Sequence, residues 1–288
     1  MRMDHNFLIA DSGSTKTDWC VVRAGKMIRR IVTKGMNPYF QTPEEMQTEI
    51  RQALLPYLPN GSWQAVYFYG AGCTTQKCSS VAASLQCCLP VTGAIEVYSD
   101  LWGAARSLCG HRPGIAAILG TGANSCFYDG REITQNTPAL GFILGDEGSG
   151  AYLGKRLVGD ILKHQMTSEL EKRFFKQFDL TQETIIERVY RAPFPNRFLA
   201  GLNVFLEQNR TEPTIHSLLV DAFRAFLRRN VASYDYRNYS VNCIGTIASI
   251  YQPELTEAAD ELGFRIGTVH QSPMEGLIEY HASEREND

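Results

Sequence analysis

The residues best suited to chemistry stand in one short stretch, Asp11-Ser12-Gly13-Ser14-Thr15-Lys16-Thr17-Asp18. Glycine adopts positive φ and lets backbone approach a ligand, so successive amides could face phosphate oxygens while Ser14, Thr15 and Lys16 add donors and charge. Asp11 follows a short apolar run and could reach Mg²⁺, which prefers one or two carboxylates completed by water and nucleotide phosphates. The same segment also suits a plain hairpin with a polar tip, Asp11 capping its own turn.

A second glycine turn, Leu119-Gly120-Thr121-Gly122-Ala123-Asn124-Ser125, lies about one hundred residues on. Two such hairpins facing each other would grip the β and γ phosphates from both sides. A third element, Val241 to Ala248, runs an apolar strand into Gly245 and Thr246, where a flat base could lie against backbone. Other phosphate motifs fail. Ser149 to Arg156 resembles a Walker A loop, but Ser149 replaces its first glycine and Arg156 its Ser or Thr. No GxGxxG follows a strand.

These turns need strands to hold them. Phe7 to Ala10, Trp19 to Arg23 and Met27 to Thr33 read as three strands, and Pro43 to Leu55 as a helix starting at Thr42. Ala65 to Tyr69 and Ala94 to Tyr98 read as strands with a helix, Ser79 to Leu89, between them, and a further helix spans Leu101 to Leu108. A second round opens near Gly114 with Ile115 to Leu119, Asn124 to Tyr128 and Arg131 to Thr134. Aligning Gly13 with Gly122 suggests that one unit was duplicated.

The chain then turns helical. Ala151 to Gln165, Ser168 to Gln177, Thr181 to Tyr190, Asn196 to Glu207 and Thr214 to Asp235 carry apolar residues at three and four spacing. Val241 to Gly245 and Arg265 to Val269 read as strands, Glu254 to Leu262 and Met274 to Ala282 as helices. The expected division is residues 1–110 and 111–288, with a helical insertion over about 150–236 and the last helix packing back on the first domain.

Composition narrows the function. The 288 residues suit about two domains. A net charge of −3 is too weak a field to hold a polyanion, which argues against nucleic acid. No segment approaches a membrane span, and Met1 to Gly13 lacks the apolar core of a signal peptide, so the cytoplasm is the expected location. The eight cysteines include no CxxC pair and read as reduced thiols.

The order of Asp11 to Thr17, Leu119 to Ser125, Gly145-Asp146-Glu147-Gly148-Ser149 and the late Gly245 turn resembles the BadF/BadG/BcrA/BcrD family of the actin, sugar kinase and Hsp70 superfamily. With Asn37-Pro38-Tyr39-Phe40 and Pro195-Asn196-Arg197-Phe198, the chain is most similar to the N-acetylglucosamine kinases of that family. The resemblance implies an α/β fold of two ribonuclease-H-like domains, the second enlarged by helices, with ATP and Mg²⁺ in the cleft between them.

It also implies roles. Gly13, Ser14, Thr15, Lys16, Thr17, Gly120, Thr121, Gly122, Gly245 and Thr246 would hold ATP, and Asp11 would hold Mg²⁺, through water. Asp100 would be the catalytic base that accepts the sugar hydroxyl proton. Asn37, Asp146 and Phe142 would contact the sugar. Asp100 and Asp146 each also suit a helix cap. Where these kinases commonly show Gly-Trp-Gly, this chain has Phe142, a departure that leaves the sugar open.

The implied activity is transfer of the γ-phosphoryl group of ATP to a hydroxyl, O6, of an N-acetylated amino sugar. N-acetylglucosamine leads and N-acetylmuramate is the alternative; a homodimer is left open. The same family includes ATPases that pass electrons from a bridged iron–sulfur cluster, for which Cys87 with Cys88 or Cys109 are the local thiols. The ROK class of sugar kinases is a further rival, but its zinc-binding Cys and His cluster is missing.

Overall fold

The computed structural model describes residues 6–13 and 15–284. It divides the chain into two units, Met1–Arg112 with Pro273–Asp288, and Pro113–Ser272.

In the first unit β1 (Asn6–Ser12), β2 (Lys16–Arg23) and β3 (Lys26–Lys34) form an antiparallel meander. Two strands, β4 (Trp63–Gly70) and β5 (Val91–Ser99), then run parallel to β1, giving the order β3-β2-β1-β4-β5. Both faces of this sheet are covered. Leu8, Ala10, Trp19 and Phe68 pack with Met46, Val81 and Leu85 of α1 (Pro43–Glu49) and α2 (Cys78–Cys88). Phe7, Ile9, Cys20 and Tyr67 lie on the opposite face with Leu277. A strand buried on both sides reads as an unbroken apolar run, which is why Phe7 to Ala10 stands out in the sequence.

The first helix is set by a capping box: Glu45 N donates to Thr42 Oγ1 while Thr42 N donates to Glu45 Oε2. It widens into a π-type turn over Ile50–Leu54. The third helix, α3 (Asp100–Cys109), begins directly after β5.

The second unit repeats the sheet. Its strands β6 (Gly114–Leu119), β7 (Ala123–Tyr128) and β8 (Ile133–Thr137) form a meander, and β9 (Val241–Ile244) and β10 (Ile266–His270) add in parallel, so the order is β10-β9-β6-β7-β8. This is the same topology as the first sheet, and each unit has its glycine turn between the first two strands. The two units are ribonuclease-H-like, in an α/β fold of the actin-like ATPase type.

Helices fill the space between β8 and β9: α4 (Gly141–Leu144), α5 (Gly150–Leu162), α6 (Ser168–Phe178), α7 (Gln182–Tyr190), α8 (Pro195–Gly201), α9 (Asn203–Gln208) and α10 (Pro213–Phe226). Between β9 and β10 stand α11 (Thr246–Ile250) and α12 (Gln252–Leu262). The core joins Leu153 and Leu157 of α5 to Phe205, Phe223 and Phe226. The last helix, α13 (Met274–Glu284), returns to the first unit, where Gly276 leaves no space for a side chain against Ser107 of α3.

Several expected boundaries move for local reasons. The strand expected at Arg131 to Thr134 starts at Ile133, because Asp129 Oδ1 accepts from Arg131 N at 2.8 Å and Glu132 N at 2.7 Å and holds that stretch in a turn. The helix expected over Asn196 to Glu207 breaks at Leu202, where Asn203 Nδ2 donates to the carbonyls of Gly150 and Ala200. The helix expected to run from Thr214 to Asp235 ends as an α-helix at Phe226 and continues as a π-type turn over Leu227–Val231. Neither α4 nor α11 has a periodic signature long enough to read.

Candidate active site

In the first unit the turn between β1 and β2 closes with Gly13 N donating to Lys16 O at 2.9 Å, leaving Thr15 and Lys16 exposed. Ser14, expected to bind nucleotide, lies outside the described residues. The Thr17 hydroxyl is fully buried; it lies 2.7 Å from Ser12 Oγ and donates to Lys34 O at 3.0 Å. Its side chain therefore fastens the hairpin base instead of facing solvent.

Asp11 sits in register with Asp18 of β2 and Tyr69 of β4. Asp18 is taken up by Arg30, whose Nε donates to Oδ1 at 2.7 Å. Among the described residues Asp11 has no such ion pair. Burial, then the carboxylates of Asp100 and Asp18, push its pKa up to about 7, against the weaker pull of Lys16 and Arg30.

Asp100 comes to the same end of the sheet because Ser12, Gly70 and Ser99 are aligned across β1, β4 and β5. It is the first residue of α3 and not its cap; Ser99 holds the cap position, and Asp100 Oδ1 accepts from Leu101 N at 2.9 Å. Burial raises its pKa, partly offset by backbone amides. Asp11 and Asp100 are thus two desolvated carboxylates close enough to repel, which favours a cation between their oxygens and a ligand's.

The turn after β4 went unread in the sequence. Ala71 N donates to Ser12 O at 2.8 Å, so this turn is pinned beside the glycine hairpin. Gly72 has φ +80, and a Cβ there would collide with Asn37 Oδ1. Asn37 is buried; its Oδ1 accepts from Tyr39 N at 2.9 Å and its backbone N donates to Gln41 Oε1 at 2.8 Å. Its Nδ2 donates to no described residue, so an amide donor is held ready for a ligand oxygen.

In the second unit the glycine turn is anchored on α5. Gly150 N donates to Gly120 O at 2.8 Å and Ala151 N to Thr121 O at 3.1 Å. The carbonyls of the turn are thereby satisfied by the helix, while no described residue accepts from the amides of Thr121 and Gly122. These are the donors a phosphate requires.

The Gly145 to Ser149 segment divides its tasks. Ser149 caps α5, accepting from Tyr152 N at 3.1 Å. Glu147 is buried and anchored by Arg229 Nε at 2.5 Å and Asn230 Nδ2 at 3.1 Å. Asp146 is not a cap: in the left-handed region at φ 55, it turns its carboxylate to the second glycine turn, where Oδ1 accepts from Ala123 N at 3.3 Å. Burial pushes its pKa up to about 6. Phe142, on α4, is half-buried, and Lys155 Nζ donates to its carbonyl at 2.7 Å.

Gly245 ends β9 at φ 125, and a Cβ there would strike the Leu119 carbonyl at the start of the second turn. Thr246 follows as the first, exposed residue of α11. A hollow of about 830 Å³ in this unit, lined by Arg210, Ile250, Gln252, Glu257, Asp260 and Glu261 among others, includes none of the expected residues.

The structure thus groups Asp11, Gly13, Lys16, Asn37 and Asp100 on one unit, and Gly120 to Gly122, Phe142, Asp146 and Gly245 on the other. Among the described residues no cluster of three or more His, Cys, Asp or Glu is arranged to hold a metal ion. Two coupled carboxylates do suit Mg²⁺, which keeps water and phosphate in most of its shell. Of the cluster candidates, Cys87 Sγ lies 3.4 Å from Arg51 and Cys88 Sγ donates to Gln47 O, so both thiols already have local partners. No described helix is long and apolar enough to cross a membrane.

No family model matches the sequence, and no curated protein matches it. Among solved structures, a candidate N-acetylglucosamine kinase from Porphyromonas gingivalis is 48% identical, with TM-score 0.95 over 97% of this chain and 99% of that one. A candidate N-acetylglucosamine kinase from Chromobacterium violaceum is 18% identical, with TM-score 0.76 over 96% and 99%. A ROK family glucokinase from Streptomyces griseus, in complex with glucose and AMPPNP, is 15% identical, with TM-score 0.58 over 98% and 99%. The last two show likeness of fold.

Proposed function

The chain belongs to the N-acetylglucosamine kinase-like family of actin-like sugar kinases, and from that premise we propose that it moves the γ-phosphoryl group of ATP to O6 of an N-acetylated amino sugar, N-acetylglucosamine first. The observation that carries this reading is that Asp11 and Asp100 stand at one end of the first sheet beside the glycine hairpin, where desolvation raises both pKa values and the Asp100 carboxylate raises that of Asp11 further. Such a pair is costly in an empty protein and useful only when positive charge and a proton donor arrive.

In the proposed reaction Asp100 accepts the proton of the attacking sugar hydroxyl as its oxygen bonds to the γ phosphorus and the bridge to ADP breaks. A raised pKa suits this task, because a carboxylate that holds its proton more tightly is a stronger base. On the second unit the amides of Thr121 and Gly122, and on the first unit Lys16, are the groups assigned to phosphate oxygens. Asp11 would hold Mg²⁺ through water; that ion, when bound, neutralises charge on the transferring group. Asn37, Phe142 and Asp146 would contact the sugar.

The test is ADP release with N-acetylglucosamine, N-acetylmuramate, glucosamine and glucose offered separately. Stimulation by an N-acetylated sugar supports the reading and ranks the acceptors, and the phosphorylated carbon is read from the product by phosphorus NMR. Indifference to every sugar would overturn it.

A further inference from the structure

The stretch Ser149 to Arg156 is not a phosphate loop, yet its lysine is closely placed. Lys155 is the sixth residue of α5, and besides its 2.7 Å bond to the Phe142 carbonyl its Nζ lies 5.2 Å from the centre of the Tyr152 ring. The side chain is half-buried, and among the described residues no carboxylate forms an ion pair with it. Its charge is nonetheless felt by Asp146, whose pKa it lowers against burial and Glu147.

The C-terminal end of the segment that Lys155 touches is anchored through Asp146 and Glu147, and the Phe142 ring packs against the core, but among the described residues only Lys155 bonds a carbonyl of α4 from outside the segment. Leu140, Gly141, Asp146 and Gly148 all have positive φ, at 65, 72, 55 and 75°. α4 has only four residues, and Ile143 and Leu144 expose 73% and 71% of their surface, so no apolar burial fixes that side. The backbone contributes Gly145 N to Gly141 O at 2.8 Å and Asp146 N to Ala139 O at 3.1 Å. The Phe142 carbonyl is one of the acceptors that a short helix leaves without a partner, and an ammonium there satisfies it at the negative end of the helix.

We propose that Lys155 is the positioning residue of the acceptor site: its bond to the Phe142 carbonyl holds residues 140–146 in the shape that presents Phe142 and Asp146 to the sugar. The proposal rests on the reading above in which those two side chains meet the acceptor. Its consequence is that Lys155 governs sugar affinity without touching the reacting atoms.

Lys155→Met keeps most of the stem and removes the ammonium, while Lys155→Arg keeps a charged donor. For wild type and both variants, KM for N-acetylglucosamine and for ATP is measured with kcat, and backbone amide exchange over residues 140–147 is followed by mass spectrometry without ligand. Lys155→Met should speed exchange over that segment and raise the sugar KM about tenfold or more, with the ATP KM within about twofold, the expected scale for losing one charge-assisted hydrogen bond. Lys155→Arg should recover most of both.

Unchanged exchange over 140–147 in Lys155→Met overturns the proposal. So does an unchanged sugar KM when the wild type turns the sugar over. If the wild type phosphorylates no sugar at all, the proposed function falls instead, and the exchange result alone decides the part played by Lys155.

Discussion

The carboxylate of Asp146 lies against Gly122 so closely that a Cβ at position 122 would stand 3.1 Å from Asp146 Oδ2. A side chain in this turn is therefore tight against the aspartate, which must give by a few tenths of an ångström, while the backbone angle there is ordinary. Gly122→Ala should displace Asp146 and the amide of Ala123 that it accepts from, lowering kcat/KM about tenfold or more while costing roughly 1 kcal/mol of stability. Steady-state kinetics and urea melts check this; a fully active variant would contradict the contact.

Gly245 offers the contrast. There φ is 125 and the obstacle is the Leu119 carbonyl, which belongs to a central strand and cannot step aside. Gly245→Ala should cost about 3 kcal/mol or more, combining backbone strain with a collision. A urea midpoint within experimental error of wild type would rule out the geometry given for this strand end.

These two glycines show what was readable in the chain. The apolar runs Phe7 to Ala10 and Ile115 to Leu119 announce their strands because both faces of each sheet are buried, and the glycines after them mark the turns. That Asp146 would lie against the second turn could not be read from spacing, since the two positions are distant in sequence and meet through bonds that only the fold supplies, such as Ala123 N to Asp146 Oδ1. Thr17 is the contrary case: its hydroxyl suits a phosphate on paper, but in the fold it is buried and bonded to Ser12 and Lys34. The short α4 has no period to detect, and its start at a left-handed Leu140 breaks every propensity rule.

Thr17→Val tests that inward placement. Losing the hydroxyl leaves the Lys34 carbonyl and Ser12 short of a partner, at a cost of about 1–3 kcal/mol, while the ATP KM stays within about twofold. A large rise in ATP KM at unchanged stability would instead place the hydroxyl on the nucleotide.

Asp11→Asn separates stability from function through pH. The unfolded carboxyl releases its proton near its model value of 3.8, whereas the folded one holds it to about 7. Between those values the folded state binds more protons than the unfolded one, so the wild type loses stability relative to the Asn variant as pH rises, and the gap is constant above pH 7. Melting temperatures from pH 4 to 8 should therefore diverge in favour of Asp11→Asn, which should also lose most turnover. A difference independent of pH would show that Asp11 is not the buried, repelled group described.

The central claim is that Asp100 takes the proton of a sugar hydroxyl during phosphoryl transfer from ATP. The most direct test is sugar-stimulated ADP release by wild type and Asp100→Asn side by side, with ATP affinity measured on both. The expected result is stimulation by N-acetylglucosamine in the wild type, a fall of about 10² to 10⁴ in the variant, and unchanged ATP binding. A variant that still releases ADP in response to sugar at the wild-type rate would contradict the account.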